Sequence, residues 1–283
     1  GRGAWQYSTD TITWTDFGTV SSSSGLLLTA QTQVRYRPDE ANGENVSLSF
    51  RAWDRTSGNA SSTGLPSLAD TTSNGGSTAF SVGTAQSTLV VSSINDAPVL
   101  TALSPVLSSL TDSAVNNAGE LVSDLLGSVT DVDTGALKGM AITGTSSTYG
   151  TWQFSTNGGA TWSDAGSVSD AAALLLRATD KIRFTPDGVH GETPSIADKA
   201  WDQSSGAGLQ GTTVDTTTSG GTSAYSLLTD TATLTVTAVN DAPVLTAGTG
   251  GNAAFVEGDN ATSTPVAIDS GIVVSDADSP TLA

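Results

Sequence analysis

The chain has 283 residues, with 28 acidic and 10 basic side chains and a net charge of −18. That balance excludes the basic footprint that nucleic acid or an anionic membrane requires, and it favours cations as partners. The absence of Cys excludes a disulfide framework and any thiolate metal site. No apolar run approaches the roughly 20 residues of a membrane-spanning helix.

The predicted elements come in pairs along the chain, because most segments of the first third return later. Gly3–Asp10 reads Gly-Ala-Trp-Gln-Tyr-Ser-Thr-Asp and returns at 150–157 as Gly-Thr-Trp-Gln-Phe-Ser-Thr-Asn. Trp14 returns as Trp162, and Ser24–Leu28 as the apolar run Ser169–Arg177, whose composition predicts a helical turn or two. Val34–Asp39 returns as Ile182–Asp187, and Ala52-Trp53-Asp54 returns as Ala200-Trp201-Asp202 (201 − 53 = 148). Residues 70–80 return at 215–225. A period of this length fixes the architecture as a tandem array.

Within a repeat the pattern has period two. Val46, Leu48, Phe50 and Ala52 share one face of a strand; Ser47, Ser49, Arg51 and Trp53 share the other. Lys181–Thr185 and Thr231–Val239 alternate in the same way, and Asn157-Gly158-Gly159 is a hairpin-turn signal. Residues 55–85 and 203–230 are long Ser/Thr/Gly-rich connections. Many short strands separated by turns predict an all-β chain of tandem immunoglobulin-like β-sandwich repeats.

The joint between repeats is a phrase that occurs twice, Asn95-Asp96-Ala97-Pro98-Val99-Leu100 and Asn240-Asp241-Ala242-Pro243-Val244-Leu245 (240 − 95 = 145). Each copy follows an alternating strand. Pro fixes its own φ and pushes the preceding residue to extended geometry, so the joint is stiff. The repeat register divides the chain into residues 1–96, the later part of one repeat; 97–241, a complete repeat; and 242–283, the opening of another. The chain is thus expected to be a piece of a longer protein, and its partial repeats either to associate head to tail through exposed strand edges or to close on each other within one chain.

Acidic residues recur in register with the joints. Asp131 and Asp133 form an Asp-x-Asp that returns as Asp276 and Asp278, and Asp112 matches Glu257. On an extended chain, alternate side chains point the same way. Two carboxylates held that close repel, and a hard cation taking about six to eight oxygen ligands relieves the repulsion.

The order acid, Asp-x-Asp, Ala-x-Asp, Asn-Asp-x-Pro resembles the cadherin calcium-binding pattern, and the joint Asn-Asp-Ala-Pro-Val resembles the cadherin-like tandem repeats of giant bacterial surface adhesins. The resemblance covers the whole chain. It implies cadherin-like β-sandwich repeats with Ca2+ at the junctions, held by Asn95, Asp96, Asp131, Asp133 and Asp202 at the first and by Asp112, Asn240, Asp241, Asp276 and Asp278 at the second. The joint departs from the cadherin form at Ser93 and Ala238, where cadherins carry an Asp, so fewer or weaker ions are expected. The repeat is also longer than a cadherin domain.

The six Trp fall at three recurring places, Trp5/Trp152, Trp14/Trp162 and Trp53/Trp201. Core packing is the ordinary reading; contact with a cell-surface glycan is the alternative, for which Trp53 and Trp201 are the candidates because they stand opposite the apolar face. His190 is the only His, and its counterpart is Asn42. Neither a catalytic triad, a zinc-type cluster nor a phosphate-cradling loop is present, so the sequence assigns no catalytic residue and no enzyme activity. The expected function is that of a calcium-stiffened adhesin or spacer segment at the bacterial cell surface or outside the cell, in contact with neighbouring repeats and with a surface glycan or protein. A glycan-binding module and accessory repeats of a secreted hydrolase are the alternatives.

Overall fold

The computed structural model describes residues 1–248, 253–254, 265 and 271–278. The chain is all-β, with one helical turn among the described residues, and it forms two compact units. The first comprises Gly1–Asp96 together with Asp131–Ala136; the second comprises Ala97–Thr130 and Leu137–Ala283.

In the first unit β1 (Ala4–Ser8) pairs with β2 (Thr15–Asp16) and with β4 (Gln33–Arg37). Two further pairs stand by themselves. One joins β3 (Gly25–Leu26) to β6 (Leu68–Ala69), and the other joins β5 (Glu44–Phe50) to β7 (Ala85–Val91).

The second unit holds the fuller sandwich. It opens with β8 (Val99–Thr101), β9 (Leu110–Thr111), β10 (Glu120–Leu121), the single turn α1 (Val122–Leu125) and β11 (Ser128–Thr130). There follow β12 (Gly139–Ser146), β13 (Gly150–Ser155), β14 (Ser163–Asp164), β15 (Ala173–Arg177), β16 (Lys181–Pro186), β17 (Ser195–Trp201), β18 (Thr213–Val214), β19 (Tyr225–Thr233) and β20 (Val236–Thr237). The last described pair is β21 (Val244–Thr246) with β22 (Val273–Ser275), which repeats the antiparallel pairing of β8 with β11.

One sheet runs β18-β15-β12-β17-β19 and the other β10-β16-β13-β14. Met140, Ile142, Leu174, Leu176 and Ile196 from the first sheet meet Trp152, Ile182 and Phe184 from the second in one buried cluster. Alternation explains this: every second residue of β16 is buried, as a half-buried antiparallel strand requires. The five-stranded sheet is also covered on its outer face, where Ala141, Ala173, Leu175 and Trp201 pack against Ala224 and Tyr225. The Ser/Thr/Gly-rich connection 203–230 supplies that cover, adding β18 to the sheet edge and folding its end back as the start of β19.

This second cover corrects the expected helix at Ser169–Arg177. Residues Ala173–Arg177 form β15, preceded by a turn in which Ser169 and Ala172 exchange backbone hydrogen bonds. A strand buried on both faces is apolar throughout and carries no period-two signature. Leu174 and Leu176 enter one cluster while Ala173 and Leu175 enter the other. The expected strand at Thr231–Val239 is likewise displaced: β19 ends at Thr233 and Val236–Thr237 forms a short parallel pair with β9. The Asn157-Gly158-Gly159 turn lies between β13 and β14, with φ of 74° and 96° at its glycines, the left-handed region that glycine enters without strain.

Candidate functional site

Both joints fold in the same way. At the first, the Asp96 N–H donates to Asp133 Oδ2 at 2.8 Å, and the Asp133 N–H donates to Asp131 Oδ1 at 2.8 Å. At the second, the Asp241 N–H donates to Asp278 Oδ2 at 3.1 Å, and the Asp278 N–H donates to Asp276 Oδ1 at 3.2 Å. The joint asparagines also match. Asn95 Nδ2 donates to the Asp96 carbonyl at 3.1 Å and Asn240 Nδ2 to the Asp241 carbonyl at 2.7 Å.

The physical logic is local. β11 and β22 end at Thr130 and Ser275, and the next residue in each case is the first Asp of the pair. Its side chain accepts the N–H two residues on, an Asx turn that bends the chain. The second Asp of the pair is thereby turned onto the joint, where it caps the N–H of Asp96 or Asp241. The Asp-x-Asp is therefore a turn, and the extended geometry expected from the sequence does not hold, because the side-chain acceptor outcompetes continued pairing once the strand has run out of partners.

Asp112 joins the second set. It is fully buried at the end of β9, and its Oδ2 accepts the Val239 N–H at 2.7 Å, one residue before Asn240. Its sequence counterpart Glu257 lies outside the described residues. Asp202, expected at the first junction, belongs to the second unit; it is buried and accepts the Ser204 N–H at 2.7 Å. The structure thus brings Asn95, Asp96, Asp131 and Asp133 together in the first unit. It brings Asp112, Asn240, Asp241, Asp276 and Asp278 together in the second.

Two oxygens in the second set are orphaned. Asp241 Oδ2 and Asp278 Oδ1 are buried and have no hydrogen-bond partner. The Asp276 side chain and the Asp241 N–H hold Asp278 below the usual carboxylate range, so it stands ionised at neutral pH. A buried, ionised oxygen without a donor is costly unless a cation meets it. The donors present are carboxylates, Asn amides and backbone carbonyls, the hard oxygen set that suits Ca2+. Among the described residues no three His, Cys, Asp or Glu side chains converge at metal-ligand geometry. The fit thus rests on donor chemistry and the orphaned oxygens.

Of the two tryptophans expected to contact a glycan, Trp201 does not fit that role. Trp201 is 1% exposed, packs in the outer cluster and donates its indole N–H to the Ser205 carbonyl at 2.8 Å, so it has no face to offer a sugar. Trp53 repeats that bond to Ser57 and is half-buried against Leu27 and Phe80. Trp14 and Trp162 each lie under an arginine, Arg35 at 4.1 Å and Arg183 at 4.3 Å. Each arginine also donates to a glutamine that in turn donates to an aspartate, Gln6 and Asp16 in one copy and Gln153 and Asp164 in the other. This quartet escapes notice in the sequence, although each of its members recurs in register. His190 Nδ1 lies 2.6 Å from Asp187 Oδ2, and its ring stacks on Tyr149 at 4.1 Å.

No protein-family model, no curated protein and no solved structure matches the chain.

Proposed function

We propose that the chain is a calcium-binding segment of tandem cadherin-like repeats, acting as an adhesin or spacer outside the cell. The observation that carries this reading is the second joint, where Asp241 Oδ2 and Asp278 Oδ1 are buried without donors inside a loop that the first joint repeats bond for bond. A turn-forming role for these aspartates accounts for the Asx bonds alone; it leaves the two orphaned oxygens unexplained.

In this reading Asn240, Asp241, Asp276 and Asp278 supply the ligands at the second joint, with Asp112 holding the Val239 backbone in place. Asn95, Asp96, Asp131 and Asp133 do the same at the first. The ion would neutralise the gathered carboxylates and thereby hold the joint, while the sandwich core depends on apolar burial alone. A net charge of −18 keeps such a segment soluble and away from anionic partners. The bacterial cell-surface setting rests on the resemblance of the joint phrase to giant surface adhesins.

The test is isothermal calorimetry with Ca2+ on the full chain, paired with thermal melts in chelator and in millimolar calcium. The expected dissociation constant is roughly 10⁻⁴–10⁻³ M, as for extracellular modules. Linkage then stabilises the native state by about 2.7 kcal/mol at 100 times the dissociation constant. No heat of binding and superimposable melts would reduce the aspartates to turn formers.

A further inference from the structure

The segment Asp131–Ala136 follows the first joint in sequence yet packs with Gly1–Asp96. One side chain of that unit grips it. Asn42 Oδ1 accepts both the Thr134 N–H at 2.9 Å and the Thr134 hydroxyl at 2.8 Å, and Asn42 Nδ2 donates to the Val132 carbonyl at 3.2 Å. Those two backbone groups belong to the peptide planes on either side of the Asp133 Cα. The Asp133 N–H is itself taken by Asp131 Oδ1. Both peptide planes are thus pinned, which fixes the two soft dihedrals of Asp133 and directs the carboxylate that caps the Asp96 N–H.

The gripping amide is held in its turn. Asp39 Oδ1 accepts the N–H groups of Ala41 and Asn42 at 3.1 and 3.0 Å, an Asx turn. The next residue, Gly43, presses on the strand that enters the joint: a Cβ there would stand 2.5 Å from the Ser93 nitrogen and 2.8 Å from the Val91 carbonyl oxygen. Asn42 therefore bridges the two halves of the joint, the strand that leads to Asn95-Asp96 and the loop that carries Asp131 and Asp133.

The second joint keeps the turn and changes the side chain. Asp187 Oδ1 accepts the N–H groups of Val189 and His190 at 2.9 Å each. A Cβ on Gly191 would meet the Ala238 nitrogen at 2.8 Å and the Val236 carbonyl oxygen at 2.9 Å. His190 stands at the Asn42 position, but its Nδ1 is spent on Asp187 Oδ2 and its ring lies flat on Tyr149. An imidazole so engaged has one ring nitrogen left, so it cannot donate and accept at once as the amide does.

We propose that Asn42 is a positioning residue for calcium at the first joint, and that His190 in its place leaves the second joint the weaker of two unequal sites. The inference rests on the calcium reading of the joints. A carboxylate fixed before the ion arrives does not have to be ordered by it. Groups that orient metal ligands from behind set affinity by roughly 10–100-fold.

The experiment is two-step calcium calorimetry on the full chain, with amide hydrogen exchange measured in chelator. The first-joint step is the one that persists in Asp278→Ala, and it should be tighter than the other by about tenfold or more. Asn42→Leu keeps the bulk of the side chain and removes its polar atoms. It should bring the first-joint step down to the level of the second and leave the second unchanged. Without calcium, exchange of the Thr134 amide should quicken in this variant while β1, β4 and β5 keep their protection. His190→Asn should tighten the second-joint step. Equal steps in the parent chain, an unchanged first-joint step in Asn42→Leu, or an unchanged second-joint step in His190→Asn would each overturn the proposal and leave the calcium reading intact. Loss of protection throughout β1, β4 and β5 in Asn42→Leu would reduce Asn42 to a structural residue. Absence of any calcium heat from the parent chain would remove the proposal together with the reading beneath it.

Discussion

Asp198 stands directly opposite Asp230 across the paired strands β17 and β19, and both oxygens of the buried Asp198 carboxyl lack a hydrogen-bond partner. Asp230 is provided for: it accepts the N–H groups of Leu103, Ser104 and Thr231. The two are cross-strand neighbours on one face, so an ionised Asp230 leaves Asp198 with desolvation and a like charge. Burial first, and then the Asp230 charge, pushes Asp198 up to about 8. It is a neutral acid at pH 7.

A pH dependence follows from that shift. In the unfolded chain Asp198 titrates near the ordinary value of about 3.9. Between about pH 4 and pH 8 the native state holds a proton that the unfolded state has lost, so native stability declines as pH rises through this window and levels off above it. The decline from this group is on the order of several kcal/mol, on the rule of about 1.4 kcal/mol per tenfold change in proton affinity. Carboxylates held low, such as Asp187 beside His190, act in the opposite sense and only at the acidic end. Asp198→Asn keeps the shape without the titration, so denaturant unfolding of this variant from pH 5 to pH 9 should be flatter than that of the parent chain. Parallel profiles would place the proton elsewhere.

The joint makes a second prediction. Asp278→Ala removes the acceptor of the Asp241 N–H and one of the orphaned oxygens, so calcium affinity at the second joint should fall by about tenfold or more while the first site is unchanged. Asp112→Asn keeps an oxygen for the Val239 N–H but removes a charge behind the ligands. Groups in that position tune metal affinity by roughly 10–100-fold. Two-site calorimetric titration separates these effects: one of two binding steps should weaken. Uniform loss of both steps would contradict the assignment of Asp112, Asp241 and Asp278 to a single joint.

Much of this arrangement was legible because the chain repeats itself. Strand positions, the joint and the recurring aspartates all follow from register, and the all-β class follows from alternation and turn residues. The Ser169–Arg177 run defeated the reading because burial on both faces erases the alternation that identifies a strand. The Asp-x-Asp geometry was misread because an Asx turn and an extended pair have the same sequence; only the end of β11 or β22 decides between them. The Asp198–Asp230 pair was invisible for the opposite reason. Its counterparts are Phe50 and Ala85, so nothing recurs, and a buried carboxyl on a strand looks like any turn-flanking Asp. Burial of Trp201 depends on the fold-back of Ala224 and Tyr225, a long-range contact that no local pattern encodes.

That long-range cover sets a third prediction. Trp201→Ala empties a fully buried position between Gly139, Leu175 and Tyr225, and large aromatic truncations of this kind cost about 3–5 kcal/mol. Trp53→Ala removes the same side chain from a half-buried place, where part of the ring already meets water. It should cost distinctly less. Guanidinium unfolding of both variants checks the order; an equal cost would mean that Trp53 is covered in solution as fully as Trp201.

Gly139 makes the sharpest prediction about packing. It pairs with both Arg177 and Trp201, and the Trp201 ring lies across the space that a side chain would fill. Its neighbours cannot give way cheaply: one is a ring locked by its bond to Ser205, and the other is the Leu176 backbone carbonyl, whose strand is buried on both faces. Gly139→Val must therefore either tilt the indole, breaking the bond to Ser205, or separate β12 from β15. Overpacking of this kind costs about 1–3 kcal/mol and occasionally more, and the strain should appear at both places. Gly144 is the contrast on the same strand. A Cβ there meets only the Ala197 side chain at 3.6 Å, an ordinary contact, so Gly144→Ala should be nearly neutral. Thermal unfolding of the two variants, with the near-ultraviolet circular dichroism of Trp201 as a local probe, separates them. The Gly139 variant should lose both stability and the indole signal, and the Gly144 variant neither. A Gly139→Val chain as stable as the parent would show that Trp201 rotates freely in the outer cluster.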